Sequence, residues 1–241
     1  MIQEALQYLI ELGRKSDPVV VVNGKNYSVE TLTPVKEVGP AAIGFNFLDS
    51  LVRYVRENID NFRPKNTLII EIKSPTEVKL HTEILGDFSE RFTPIVCTAL
   101  LEQFPFGRFI DNEEFIIMAQ SRFVETEDLD KVRRVAGNVS SEQVLNFSDD
   151  GISQQVTAKA GIARVENIIM PPRVKLAPYR TFIEIEQPVS EFVFRAHESN
   201  KLPTFGLFEA DGGAWRIEAM KRIKVFLEAS LKDTENVVVL G

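Results

Sequence analysis

One segment near the C-terminus, FEADGGAW, combines acidic, glycine and aromatic residues and ends at Trp215. Glu209 and Asp211 are close enough in sequence to hold a cation together, and the amides of Gly212 and Gly213 could bind an anion at a helix start. The two acids would repel an anion, so cation binding is the better of these two functional interpretations. We favour a structural interpretation over both. In it Asp211 caps the turn or the helix, the glycines permit positive φ, and Trp215 packs back on the sheet.

A second candidate cluster begins at Arg180. Apolar and polar residues alternate over residues 181–186, which predicts a strand with Glu184 and Glu186 on the same face. A solvated sheet face is the simpler interpretation of these two acids. If the face instead lines a pocket, Arg180 and the two acids are its polar groups and together form a ligand site.

The residue types that most often carry catalysis are scarce in this chain. The two histidines, His81 and His197, fit neither an H-E-x-x-H nor a zinc-finger spacing. The tripeptide that starts at His81 matches half of the zinc-deaminase signature, but the other half needs two cysteines and Cys97 is the only one. Cys97 is predicted to be a small core residue, with a Cys–His nucleophilic pair left open.

Phosphate-loop, dinucleotide-binding and esterase-elbow motifs are absent from the sequence. We therefore predict no metal, no cofactor and no catalytic residue, and favour a protein that is not an enzyme.

Composition narrows the setting. The chain has 241 residues, 44% of them hydrophobic, which is enough to build a buried core. Its apolar runs are strand-sized, far short of the roughly 20 residues that cross a bilayer, and its start lacks the basic and apolar regions of a signal peptide. We therefore expect no membrane span and a reducing cytoplasm. The single cysteine, which cannot form an internal disulfide, agrees with that setting. The net charge of −7 and the pI near 5.1 disfavour nucleic acid as a partner.

The hydrophobic pattern of the first half predicts mainly helices. Apolar residues at helical spacing predict helices over residues 2–13 and 48–59, and capping patterns open two more before residue 140. The Asn23-Gly24 pair that follows a run of valines is typical of a tight hairpin turn. Alternating segments on either side of Ser74-Pro75 predict a pair of strands.

From about residue 143 the pattern changes to β. Predicted strands cover residues 144–147, 152–159, 163–169, 173–176, 181–186, 192–196 and 204–208. Short connections favour antiparallel pairing, because a parallel pair needs a crossover of about a dozen or more residues. A last helix is predicted over residues 214–231. We therefore predict one α+β domain over residues 1–241, with a subdivision near residue 140 as the alternative. Its first half is helix-rich, and its second half is a mainly antiparallel sheet packed by the C-terminal helix.

The second half contains the short motifs SDDGISQ from Ser148, PYRTF from Pro178, EQP from Glu186 and FEADGG from Phe208. In these motifs the chain resembles a family of uncharacterised phage and prophage proteins that includes YfdQ, and the likeness spans roughly residues 65–230. None of these motifs is diagnostic of a chemistry, and the family has no established activity, so no catalytic residue carries over. The resemblance implies a bacteriophage origin and a place in the host bacterial cytoplasm.

Three function hypotheses follow. The first is a non-catalytic phage accessory protein that binds a host protein or assembles with copies of itself, for instance in counter-defence. The second is a protein that sequesters a nucleotide-like anion through Arg180 or through the turn at Gly212 and Gly213. The third is a metal-assisted hydrolase that uses Glu209 and Asp211.

The last six residues form an apolar, β-branched segment after a charged break. Such a segment left in water is a pairing hazard, so it should add to a sheet edge in its own subunit or in a neighbour's. We predict a homo-oligomer whose termini take part in assembly. The alternative is an edge strand within the same chain.

Overall fold

The structure is a computed structural model, and it describes residues 2–16, 19–28, 41–85, 90–138, 144–149, 154–160, 164–170, 172–199 and 202–241. The chain divides into two compact units, Met1–Pro40 and Ala41–Gly241. The helices are α1 (Ile2–Ser16), α2 (Leu48–Glu57), α3 (Asn112–Ser121), α4 (Glu127–Asn138) and α5 (Ala214–Leu231). Over the ranges just given, no helix is both long enough and apolar enough to span a membrane.

The described strands number fourteen and fall into four sheets. They are β1 (Val19–Val22), β2 (Lys25–Ser28), β3 (Ile43–Phe45), β4 (Leu68–Ser74), β5 (Glu77–Thr82), β6 (Ile95–Thr98), β7 (Phe109–Asp111), β8 (Val144–Asp149), β9 (Gln154–Ala160), β10 (Arg164–Met170), β11 (Arg173–Leu176), β12 (Ser190–Ser199), β13 (Leu202–Glu209) and β14 (Val237–Leu240).

The first unit contains α1 and the β1–β2 hairpin. Asn23 and Gly24 connect the two strands with φ values of 51° and 75°, and Val22 pairs with Lys25 across the turn. Positive φ at both central residues is the geometry that the Asn-Gly pair predicted. The hairpin prediction is therefore confirmed.

A five-stranded sheet in the second unit has the order β14-β4-β5-β6-β3. The three central strands are antiparallel, whereas each edge strand runs parallel to its neighbour. Buried residues alternate along β4 and β5, so one face of the sheet is apolar. Helices α2 and α5 pack in this core, through residues such as Leu51, Val55, Ile223 and Leu227.

A four-stranded antiparallel sheet has the order β11-β12-β13-β7. Helices α3 and α4 pack against it, and its core is rich in phenylalanine. The rings of Phe115, Phe194 and Phe205 lie 5.4 to 5.9 Å apart, within the range of favourable aromatic pairs.

The fourth sheet is β10-β9-β8, which is antiparallel throughout. It lies within the region that the sequence predicted to change to β. The turn predicted at residues 148–151 falls partly outside the described residues.

The predicted α+β class is confirmed, with a helix-rich first half, sheets in the second half and a final helix. Every described strand pair between β8 and β13 is antiparallel, as the short connections predicted. One detail differs, because α5 packs with α2, β4 and β14 rather than on the sheets of the C-terminal half. The single-domain prediction, with its alternative boundary near residue 140, stays a prediction.

The C-terminal segment forms β14 and pairs with β4 of the same chain, Val237 opposite Leu68 and Leu240 opposite Glu71. This is the intramolecular alternative to the assembly role predicted for the tail. Val237 and Val239 pack against the core under the sheet, so the strand contributes to the fold of its own chain.

Candidate functional site

A cavity of about 670 Å³, called here the Arg180 cavity, lies among four separate segments of the second unit. These are the β4–β5 turn, the loop before β7, the residues around Arg180, and the end of β13 with the start of α5. Its lining residues are Ser74, Pro75, Thr76, Gln103, Phe104, Pro105, Phe106, Arg108, Tyr179, Arg180, Glu209, Trp215 and Arg216. The volume is within the range of about 300–1,000 Å³ that is usual for small-molecule sites.

The segment that carries Arg180 is a closed loop organised by Gln187, which is buried. The side-chain oxygen of Gln187 accepts hydrogen bonds from the amides of Arg180 and Thr181, at 3.1 and 3.3 Å. Its side-chain nitrogen donates to the carbonyls of Phe182 and Ile185, also at 3.1 and 3.3 Å. The prediction of a strand over residues 181–186 is wrong, because these backbone groups bond to one side chain instead of a neighbouring strand.

Arg180 is buried, with 5% of its surface exposed, and it is surrounded by aromatic rings. Its guanidinium carbon lies 3.9 Å from the ring centroid of Trp215 and 5.6 Å from that of Phe192. Nη1 donates to Glu209 at 2.8 Å, and Nη2 donates to the hydroxyl of Ser190. A buried guanidinium needs such partners, because an unpaired buried charge is costly.

Burial lowers the pKa of Arg180 to about 10, although Glu209 and Asp211 act in the opposite direction. The side chain therefore keeps its charge at neutral pH. Nε of Arg180 and Nε1 of Trp215 are buried donors without a hydrogen-bond partner in the described part of the chain. Both belong to side chains that line the cavity.

Asp211 caps the turn that leads into α5. Its Oδ1 accepts from the amide of Gly213 at 3.0 Å, and its carbonyl accepts from the amide of Ala214. Burial acts to raise the pKa of Asp211, but hydrogen bonds from Ser190 and Gly213 outweigh it, and the pKa lies below its ordinary value. Gly212 and Gly213 have φ values of 63° and 81°, where glycine is favoured. The cap at Asp211 and the positive φ of the two glycines agree with the structural interpretation, in which this segment forms a turn before the helix.

Two further arginines, Arg108 and Arg216, line the cavity and are exposed. Within the ranges that the structure describes, neither forms an ion pair with a carboxylate. The guanidinium carbon of Arg216 lies 5.0 Å from the ring centroid of Trp215. The cavity is therefore bordered by two positive charges that have no carboxylate partner among the described residues.

Glu184 and Glu186 do not share a strand face, which corrects the prediction made for them. The carboxylate of Glu184 accepts from the amide of Asp49 at 3.3 Å, at the start of α2. The carboxylate of Glu186 forms a 3.0 Å ion pair with Arg222 of α5. Neither is among the residues that line the Arg180 cavity, because Glu184 bonds at the start of α2 and Glu186 pairs with α5.

The other chemically active residue types are engaged elsewhere. The thiol of Cys97 is buried and donates to the carbonyl of Phe47 at 3.3 Å, and burial raises its pKa to about 12, helped by the charge of Glu184. His81 bonds to Glu71 and Thr93, at 3.0 and 2.9 Å. No group of three His, Cys, Asp or Glu side chains that could hold a metal ion occurs among the described residues.

The structure thus brings together Arg180, Glu209 and Trp215 from two predicted clusters and joins residues that the sequence did not single out. Phe104, Phe106 and Arg108 belong to a loop far from Arg180 in sequence, so no local pattern connects them. Arg216 follows Trp215 directly, and an exposed cation near the start of a helix carries no sequence signal for a site. Gln187 carried no signal beyond its place in the EQP motif.

Comparison with known proteins adds no relative, since no family model, curated protein or solved structure matches the chain. The resemblance to phage proteins therefore stays a prediction. The Arg180 cavity, with its arginine and aromatic lining, is the feature of the structure on which a functional proposal can be based.

Proposed function

We propose that this protein is a non-catalytic binding protein that sequesters a small, nucleotide-like anion in the Arg180 cavity. The observation that carries the proposal is the pair Arg108 and Arg216, two exposed guanidiniums without a described carboxylate partner that line one cavity. Guanidinium groups favour carboxylate and phosphate because their donors match these groups in pairs.

The balance of charge around the cavity supports an anion over a cation. Of the described residues that line it, three are arginines and one, Glu209, is an acid. Glu209 is already paired with Arg180 at 2.8 Å. Asp211, whose charge also acts on Arg180, is occupied by the turn that it caps. A cation would have to displace these contacts and overcome the repulsion of three positive charges.

The aromatic lining favours a ligand with a flat ring as well as an acidic group. Phe104, Phe106, Tyr179 and Trp215 all line the cavity, and Tyr179 is 37% exposed. Aromatic faces stack on nucleobases with little regard to their sequence identity. Ser74 and Thr76 add hydroxyl groups at the β4–β5 turn, which could bind the polar edge of such a ring or a sugar.

The lining chemistry supports sequestration more than turnover. The hydroxyls of Ser74 and Thr76 lie 3.3 Å apart and bond to each other. Among the described residues that line the cavity there is no histidine, cysteine or lysine to act as a base. The metal-assisted hydrolase hypothesis has less support, because Glu209 and Asp211 already bond to Arg180 and Gly213.

A thermal-shift panel tests the proposal and separates it from the metal hypothesis. The panel contains AMP, GMP, CMP, UMP, inorganic phosphate, Mg²⁺ and Mn²⁺. A ligand at about a hundredfold excess over its Kd stabilises the folded state by about 2.7 kcal/mol. We expect stabilisation by at least one nucleotide, its loss in Arg108→Ala with Arg216→Ala, and its retention in Arg53→Ala, an exposed arginine of α2. Stabilisation by metal ions alone would contradict the proposal.

The wider setting of the proposal follows the resemblance to phage proteins. We expect a phage-encoded protein that acts in the host bacterial cytoplasm, with counter-defence as the role that sequestration of a host nucleotide would serve. Self-assembly is a second candidate property. Among the described strands β14 is one of the two edge strands of its sheet, and Val238 and Leu240 are exposed on it, which favours pairing with a second copy.

A further inference from the structure

The guanidinium of Arg216 lies directly against the backbone of Gly213. A Cβ built on Gly213 would overlap Nη1 of Arg216 and lie 3.6 Å from its Cζ. The same guanidinium lies 5.0 Å from the ring centroid of Trp215. A methyl group at residue 213 would therefore displace the guanidinium of Arg216 from its position beside the indole.

We propose that Gly213 is a positioning residue, whose missing side chain keeps the Arg216 guanidinium beside Trp215 at the edge of the Arg180 cavity. Arg180 is buried and already bonded to Glu209 and Ser190, so its charge is largely used within the protein. Arg216 is exposed and is the cation that binds the anionic group of the ligand. The ligand role rests on the proposed function, but the local positive charge is measurable without that ligand.

Gly212 provides a matched control for Gly213. Both residues have positive φ, 63° and 81°, so a Gly→Ala change strains the backbone at either position. A Cβ on Gly212 would meet nothing within 4 Å, whereas one on Gly213 meets Arg216. Gly212→Ala and Gly213→Ala should therefore lose similar stability, and only Gly213→Ala should move the guanidinium.

Quenching of Trp215 fluorescence measures the position of this charge, since Trp215 is the only tryptophan in the chain. Iodide is an anion and samples the local charge, and acrylamide is neutral and corrects for exposure of the ring. A positive charge at about 5 Å enriches an anion a few-fold in water and less in salt. We expect the iodide-to-acrylamide ratio of quenching constants to fall about twofold in Arg216→Ala, which removes the charge, and by a smaller amount in Gly213→Ala, which moves the charge away from the indole. The ratio should stay at the wild-type value in Gly212→Ala.

The outcomes separate this inference from the proposed function. An unchanged ratio in Gly213→Ala, or an equal fall in Gly212→Ala, would overturn the positioning role. An unchanged ratio in Arg216→Ala would show that its guanidinium does not lie beside Trp215, which also overturns it. The expected quenching pattern together with no nucleotide response in the thermal-shift panel would overturn the proposed function alone.

Discussion

The side-chain amide of Gln187 satisfies four backbone groups of one loop, and this loop places Arg180 at the cavity. Replacing Gln187 with Ala would remove this partner from the amides of Arg180 and Thr181 and from the carbonyl of Ile185, at a cost of about 1–3 kcal/mol each unless water reaches them. The carbonyl of Phe182 would still accept from the amide of Ile185. We expect Gln187→Ala to lower the free energy of unfolding by at least about 2 kcal/mol, measured by urea denaturation. Gln120→Ala, an exposed glutamine of α3, should stay within about 0.5 kcal/mol of the wild type. Equal losses in the two variants would contradict the role given to Gln187.

Asp211 gives the molecule a pH dependence whose sign follows from its pKa. Because the folded-state pKa lies below the ordinary value of 3.8, the ionised carboxylate stabilises the fold above that pH, and this contribution is lost on acidification. We expect Asp211→Asn to be less stable than the wild type at pH 7, with the difference shrinking as the pH falls through 4 towards 3. Thermal melts across this range measure it. A stability difference that grows at low pH would show that the pKa is raised instead.

At the residue scale the sequence indicated part of the site. Arg180, Glu209 and Trp215 were singled out for their types, and the structure brings them together. Glu184 and Glu186 belong to the predicted site because residues 181–186 alternate in polarity like a strand. In the structure these residues form a turn that is bonded to Gln187. Arg108 could not be found, because only the tertiary fold brings its loop to the cavity.

At the element scale, local patterns were informative wherever a local contact decides the structure. The capping pattern at Asp111 predicted α3, and Oδ1 of Asp111 accepts from the amide of Glu114 at 2.9 Å. The alternation in β4 predicted its buried face. The partner of α5 could not be predicted, because its apolar residues lie on several sides of the helix and Ile217 and Val225 are exposed.

The packing of α5 leads to a direct test with two residues of the same helix. Leu227 is fully buried in the core of the five-stranded sheet, whereas Val225 is 65% exposed. We expect Leu227→Ala to lower the free energy of unfolding by about 2–5 kcal/mol, because it leaves a cavity in the core. Val225→Ala should change it by less than about 0.5 kcal/mol. A large loss for Val225→Ala with little for Leu227→Ala would show that α5 buries its opposite side.

At the scale of the whole molecule, β14 is one edge of its own sheet and the surface that we propose for assembly. Val238 is 44% exposed on this strand, and a lysine on an edge strand opposes pairing with another chain. We expect the wild type to show a dimeric mass in light scattering and Val238→Lys a monomeric one. Val225→Lys, an exposed position on α5, should keep the wild-type mass. A monomeric wild type at micromolar concentration would contradict the assembly prediction.

The cavity is itself a feature of the whole second unit. The β4–β5 turn comes from the five-stranded sheet, Glu209 ends a strand of the four-stranded sheet, and Trp215 begins α5. No single element forms the site, so its charge and shape exist only when these parts are assembled. This is why the sequence indicated candidate residues and not the cavity that unites them.

The most direct test of the central claim is isothermal titration of AMP, GMP, CMP and UMP into the wild type and into the Arg108→Ala, Arg216→Ala double variant. A hydrogen bond to a charged group contributes about 1.5–3 kcal/mol, and each 1.4 kcal/mol is tenfold in affinity. The account predicts saturable binding of at least one nucleotide to the wild type, with affinity at least about tenfold weaker in the double variant. No binding to the wild type, or equal affinity in the two proteins, would contradict it.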